Sequence, residues 1–232
     1  MYGRRGRDFE RGPPRRRERW RPPEDFAVIL DFLPQGNPFD RHPEHRREPL
    51  VQAVGDRYFT LVEITTKMGE DFRVGEKIYI NPEYIGKGPI TGLYGPVRYE
   101  ELTNVAKDNL VPVLEEIVKE KERVFANLFN IAEPITLKMH ALELLPGIGK
   151  KCLMVILEER KTKPFESFED LERRLSLRGL KMQPLARLIA ERIAVELRGG
   201  ERYYMFVRPR EGEEQARYLG LLERLYLVAE RG

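Results

Sequence analysis

Residues 145–151 read Leu-Pro-Gly-Ile-Gly-Lys-Lys, and no other stretch constrains the fold as tightly. Proline does not continue a helix and glycine takes positive φ freely, so Pro146-Gly147 forces a tight turn. Apolar residues recur on both sides of it, across residues 137–157. That pattern predicts an amphipathic helix before the turn and a second, apolar helix after it. Ile148 is expected to point inward and pin the turn to the helix pair. The amides of Gly147, Gly149 and Lys150 would then gather at the N-terminus of the second helix, which carries partial positive charge and favours anions. Lys150 and Lys151 add full charges. Such a turn suits a phosphate backbone held without regard to base sequence. A plain helical hairpin with a glycine turn is the alternative.

The following residues extend the pattern. In Pro164-Phe165-Glu166-Ser167-Phe168-Glu169-Asp170-Leu171, Ser167 is placed to cap a short helix, with Asp170 three residues on. Leu177-Arg178-Gly179-Leu180-Lys181 and a helix over about 184–197 come next. This order resembles the tandem helix-hairpin-helix domains of bacterial DNA-uptake receptors and nucleotide-excision nuclease subunits. The resemblance implies two hairpins that pack as a pseudo-two-fold pair and straddle a backbone. It also implies a second phosphate contact through Gly179, Leu180 and Lys181, and a monovalent cation at the first hairpin. The second hairpin departs from the pattern, with one glycine where two are usual and no Pro-Gly start.

The first half of the chain reads as strands. Phe26–Leu30, Leu50–Val54, Tyr58–Thr65 and Ile78–Ile80 are short, β-rich and separated by turn residues. Phe72–Ile80 resembles the turn-and-strand of OB-fold and S1-like barrels. Alternation puts about half of Tyr58, Phe59, Tyr79, Tyr84 and Tyr94 on the core side, and those left outside could stack bases. A helix with apolar positions from Leu110 to Leu128 follows, with Asp108 as its N-cap and Pro112 in its first turn. Near the end, residues 203–207 read as a strand expected to return to the barrel, and residues 215–229 as a final helix. The fold class expected is α+β: a small OB-like β-barrel followed by an α-helical tandem helix-hairpin-helix domain. The divisions are a disordered Arg-rich tail (1–24), the barrel (25–98), connecting helices (99–133), the tandem hairpins (134–198) and the C-terminal strand and helix (199–232).

Charge agrees with a nucleic-acid partner in its distribution, not its total. The 41 basic and 38 acidic residues sum to +3. Residues 1–24 hold nine Arg against four acids, and residues 134–198 hold 13 basic against nine acidic, whereas residues 25–133 hold 13 against 19. Arg15, Arg16 and Arg17 lie in the tail, where guanidinium groups could fork onto phosphates and stack on bases. A solvated tail with no specific role is the other reading. No apolar run approaches a membrane span and no secretory h-region opens the chain, so a cytoplasmic protein is expected. Heavy use of Glu, Lys and Arg points to a thermophile.

As a whole the chain resembles the archaeal domain-of-unknown-function family 655, described as predicted RNA-binding proteins. Residues 25–34, Phe72–Ile80 and Leu145–Lys151 carry the resemblance, which spans about residues 25–208. It implies RNA binding in preference to DNA, and a link to translation or ribosomal components.

Other candidates are weaker. His42 and His45, with Asp40 and Glu44 nearby, have a proline between them and no third soft ligand, so an exposed loop is expected rather than a metal site. Cys152 sits in an apolar run and reads as packing. Gly86–Gly92 lacks the ending of a P-loop. Asp31 is expected to be a hydrogen-bonded structural residue and His140 a half-buried one. The function expected is therefore non-catalytic nucleic-acid binding, without a cofactor. Two alternatives stand beside it: a protein-docking adaptor, and a glycosylase or lyase using Glu169 or Asp170.

Overall fold

A computed structural model describes residues 20–38, Asp40 and residues 43–231. Five strands form one antiparallel sheet: β1 (Phe26–Leu33), β2 (Leu50–Gly55), β3 (Leu61–Thr66), β4 (Lys77–Tyr79) and β5 (Ile90–Tyr94), in the order β4-β1-β2-β3-β5. The sheet curls into a half-barrel and buries both faces. Ala27, Ile29, Val51, Ala53 and Val62 form one apolar cluster, while Val28, Leu30, Val54 and Leu61 join the main core under the helices. Successive side chains alternate faces, so two covered faces require the nearly continuous apolar runs seen in β2 and β3.

One polar row interrupts this sheet. A bulge between Ile29 and Asp31 shifts the register of β1 and sets Asp31 opposite Gln52. Gln52 in turn lies opposite Glu63, and Glu63 opposite Tyr94. The row anchors the first helix. The Thr103 hydroxyl donates to Asp31 Oδ2 at 2.6 Å, and the Thr103 amide donates to Gln52 Oε1 at 2.8 Å.

The helices are α1 (Asn104–Glu120), α2 (Glu122–Phe125) and α3 (Asn127–Ile131). A short hairpin, β6 (Pro134–Thr136) and β7 (Met139–His140), and a 3-10 turn (Ala141–Leu144) follow. Next come α4 (Lys150–Thr162), α5 (Phe168–Leu177) and α6 (Leu185–Arg198), then β8 (Tyr203–Tyr204), β9 (Arg217–Tyr218) and α7 (Leu221–Arg231). The single helix expected over 108–129 is thus three. Thr103, not Asp108, caps α1, and Pro112 lies inside that helix. The break falls at Lys121, whose side chain turns to the β2–β3 turn and meets Asp56.

Three further expectations are corrected. Described structure begins at Trp20, before the expected limit at 24: Trp20 packs on the sheet's inner cluster, and the buried Glu24 carboxylate accepts from the amides of Arg57, Tyr58 and Thr60. The amphipathic helix expected directly before the turn at 145–148 is replaced by the β6–β7 hairpin and the 3-10 turn Ala141–Leu144. Residues 203–207 do not return to the barrel; Tyr203-Tyr204 pairs in parallel with Arg217-Tyr218 in a separate two-stranded sheet. The amides of Met205, Phe206 and Val207 donate to the Glu196 carboxylate instead of to a strand.

Candidate nucleic-acid interface

The turn at 145–148 is closed by the Ile148 amide donating to the Leu145 carbonyl at 3.2 Å. Gly147, third in the turn after Pro146, has φ +80°, the conformation of a type II turn. Ile148 is buried in the main core, as its spacing predicts. Gly149 is the N-cap of α4 at φ −86° and ψ 178°, a conformation open to any residue, and a Cβ there would meet nothing within 4 Å. The fold therefore does not need glycine at 149. Its effect is to leave the outer side of the first α4 amides bare.

The charge at this end runs against helix electrostatics. No side chain caps α4, and its first turn carries no acid but two lysines, at the positive end of the dipole. The two lysines differ. Lys150 Nζ turns back to Glu143, 2.6 Å away, and donates to the Lys138 carbonyl, which neutralises it. That contact holds the Glu143 carboxyl below the usual carboxylate range. Lys151 is exposed and has no ion pair among the described residues. Arg160, two turns further along α4, donates to the Phe129 and Ala132 carbonyls and braces the helix against the end of α3.

His140 holds the segment that leads into the turn. Its Nδ1 accepts from the Leu142 amide at 3.2 Å, and its own amide donates to Glu143 Oε1 at 2.7 Å. Burial, with Arg160 nearby, pushes the imidazole pKa below its ordinary value of 6.5. A base held below its unfolded pKa adds stability that is complete above the unfolded value and is lost as pH falls through the folded one. Unfolding midpoints measured at about pH 7.5 and about pH 5 should fall further for the natural chain than for His140→Asn, which keeps the cap acceptor but does not titrate. Equal falls would remove His140 from this role.

The second hairpin does not offer the amides expected of it. Gly179, at φ +73°, follows α5 and donates its amide to the Ser176 carbonyl at 2.9 Å, while the Leu180 amide donates to Leu175 at 3.0 Å. This pair is a Schellman motif, so both amides close the helix and neither remains for phosphate. Leu180 packs on the core, and Arg178 pairs with Glu158 and Glu159 of α4. Lys181 is exposed, as are Gly179 and Arg178.

The barrel aromatics divide in a way that alternation alone does not show. Phe59 is buried and Tyr58 half-buried, whereas Tyr79, Tyr84 and Tyr94 are exposed. Phe26, not among the residues expected to stack, lies opposite Tyr79 on the edge pair β1–β4. Its ring is 5.1 Å from that of Tyr79, and Tyr79 is 5.0 Å from Tyr84. Lys77 Nζ stands 5.3 Å from the Phe26 ring and Lys87 Nζ 5.3 Å from the Tyr84 ring. Lys77 also pairs with Asp56 at 2.7 Å, and Asp25 and Glu83 lie near the Tyr79 phenol. The signal missed was register: Phe26 and Tyr79 are 53 residues apart and meet only through strand pairing.

The remaining candidates have structural partners. Asp31 accepts from Thr103, and Asp170 pairs with Arg173 at 2.7 Å while Ser167 caps its amide. Cys152 is buried, which pushes its thiol pKa up, and its Sγ is 3.3 Å from Met182 Sδ. Arg15, Arg16, Arg17 and His42 lie outside the described residues. No helix among the described residues is long and apolar enough to cross a membrane.

The family model described as "Protein of unknown function (DUF655)" matches residues 23–208. An uncharacterized protein of Methanocaldococcus jannaschii is 40% identical over 194 residues, 82% of each chain. The crystal structure of a protein from Archaeoglobus fulgidus, described under the same family model, is 43% identical and covers 80% of this chain and 100% of its own, with a TM-score of 0.68.

Proposed function

We propose that this chain, which belongs to the DUF655 family, is a non-catalytic nucleic-acid-binding protein that takes single-stranded segments of RNA. The observation that carries the reading is the exposed run of Phe26, Tyr79 and Tyr84 with Lys77 and Lys87 at its ends. Aromatic rings left bare beside cations are what unstacked bases and their phosphates require. A curled sheet of short strands supports the OB-like reading of the barrel. The bare, acid-free start of α4 supports the helix-hairpin-helix reading, with Gly147, Gly149 and Lys151 at a phosphate and Ile148 as the buried pin. Lys150 orders the turn through Glu143. The Arg-rich residues before Trp20 add affinity that salt weakens.

Binding is tested at two salt concentrations against single-stranded and duplex RNA and DNA, with the full chain and with residues 1–19 removed. The truncation stops before Trp20 because Trp20 and Glu24 are part of the fold. Single-stranded RNA should bind best, and the preference should survive truncation. Tyr84→Ala should weaken that binding about tenfold, one stacked base being worth about 1–3 kcal/mol, and Tyr84→Phe should restore it. A Tyr84→Ala chain that binds as well as the natural one refutes the reading.

A further inference from the structure

We propose a divalent metal site at Asp40, His45 and Glu63, independent of the nucleic-acid reading. The three residues come from two places. Asp40 and His45 lie in the connection between β1 and β2, and Glu63 lies on β3, at the end of the polar row. All three are buried, His45 completely. One backbone and one side-chain hydrogen bond hold the connection: the Asn37 amide donates to the His45 carbonyl at 2.8 Å, and Arg46 Nε donates to the Asp40 carbonyl at 2.8 Å.

Two carboxylate oxygens face one ring nitrogen. His45 Nδ1 is 3.4 Å from Asp40 Oδ2 and 3.3 Å from Glu63 Oε2. Both separations exceed the roughly 2.7–2.9 Å of a charge-assisted hydrogen bond. They match the edges of a tetrahedron: ligands about 2.0–2.1 Å from a central ion lie about 3.4 Å apart. The three ligand atoms all lie within 4.8 Å of one another. A dication with two carboxylates and a neutral imidazole makes a site of zero net charge, which suits a buried cluster.

The surroundings have the form of a ligand's supporting shell. Glu63 Oε1 accepts from Gln52 Nε2 at 2.8 Å, which leaves Oε2 aimed at His45. Gln52 is itself held by the Thr103 amide and the Glu101 carbonyl. The Tyr94 ring lies edge-on to the imidazole with centroids 4.4 Å apart. One nitrogen and two oxygens select a borderline ion: zinc first, with Mn2+ and Fe2+ as competitors. Such an ion would tie the long β1–β2 connection to the sheet and stabilise the folded chain.

The test uses the full chain without a polyhistidine tag, stripped with a chelator and titrated with Co2+. The visible absorption of a tetrahedral Co2+ centre should grow to one equivalent, and Zn2+ should displace it. Zn2+ at about a hundredfold excess over its Kd should raise Tm by about 5 °C or more. Glu63→Gln keeps an acceptor for Gln52 but loses the charge, and should bind Co2+ at least tenfold more weakly. A stripped natural chain that takes up no Co2+ and shows no Zn2+-dependent change in Tm overturns the site, and so does a Glu63→Gln chain that binds as tightly as the natural one.

Discussion

Replacing Glu196 by Ala should lower Tm by about 8–15 °C, the loss of about 3–5 kcal/mol expected when one partner of a buried ion pair is removed. Glu196 is 1% exposed and lies on α6, the helix packed against α1. Its Oε1 accepts from Arg192 Nε at 2.8 Å and from the Met205 amide at 2.7 Å, and its Oε2 accepts from Phe206 and Val207. Arg192 carries the network on to Glu201 and the Tyr203 carbonyl. Alanine would leave a buried guanidinium without its main partner and three amides without an acceptor. Met205 and Phe206, both core residues, would lose the contact that seats them. Glu191→Ala on the same helix breaks only the partly exposed pair with Arg187 and should change stability by no more than about 1 kcal/mol. Similar effects of the two substitutions, read by thermal and urea unfolding, would remove Glu196 from its central place.

The same carboxylate explains where the sequence misleads. Residues 203–207 have the composition of a strand, and a strand needs partners for its amides. The partner is one side chain on the preceding helix, and nothing in local composition signals that a glutamate will take three amides. The helix expected before the Pro146 turn fails for a local reason. The His140 amide is held by Glu143 and the His140 ring caps the Leu142 amide, so helical structure starts at Ala141 and Pro146 stops it within a turn. This is a capping box with histidine in the place usually taken by Ser or Thr. Leu137, which completes the apolar periodicity on paper, is fully exposed at the β6–β7 turn.

Legible features depended on short spacing. The β-strands before residue 80, the type II turn at Pro146-Gly147, the inward Ile148 and the Ser167 cap all follow from residues within a few positions of one another. Features built by register were not legible. The Phe26–Tyr79 contact requires strands to pair across 53 residues, and the approach of Glu63 to Asp40 and His45 requires the β1–β2 connection to fold back onto β3. Glu63, which completes the cluster with Asp40 and His45, comes from another strand and lies outside the spacing that singled out His45.

Gly149→Asp should move stability and binding in opposite directions. Aspartate is among the best N-caps, and at this position it would accept from the bare amides of α4 and offset the two lysines of its first turn. The helix should gain about 0.5–1 kcal/mol, a rise in Tm of about 1–3 °C. The space for a Cβ is open and the backbone conformation suits any residue, so no strain opposes the gain. Affinity for single-stranded RNA should nonetheless fall about 100-fold, because the new carboxylate fills the place of a phosphate and loses about 3 kcal/mol of charge-assisted hydrogen bonding. Loss of binding alongside raised stability cannot come from unfolding. Gly149→Ser, which caps without charge, should give a smaller loss of binding and no loss of stability. Lys151→Glu should weaken binding and flatten the salt dependence by about one phosphate contact. Unchanged affinity in the stabilised Gly149→Asp chain would confine nucleic-acid contact to the aromatic edge of the sheet. The bare start of α4 would then be only a glycine cap.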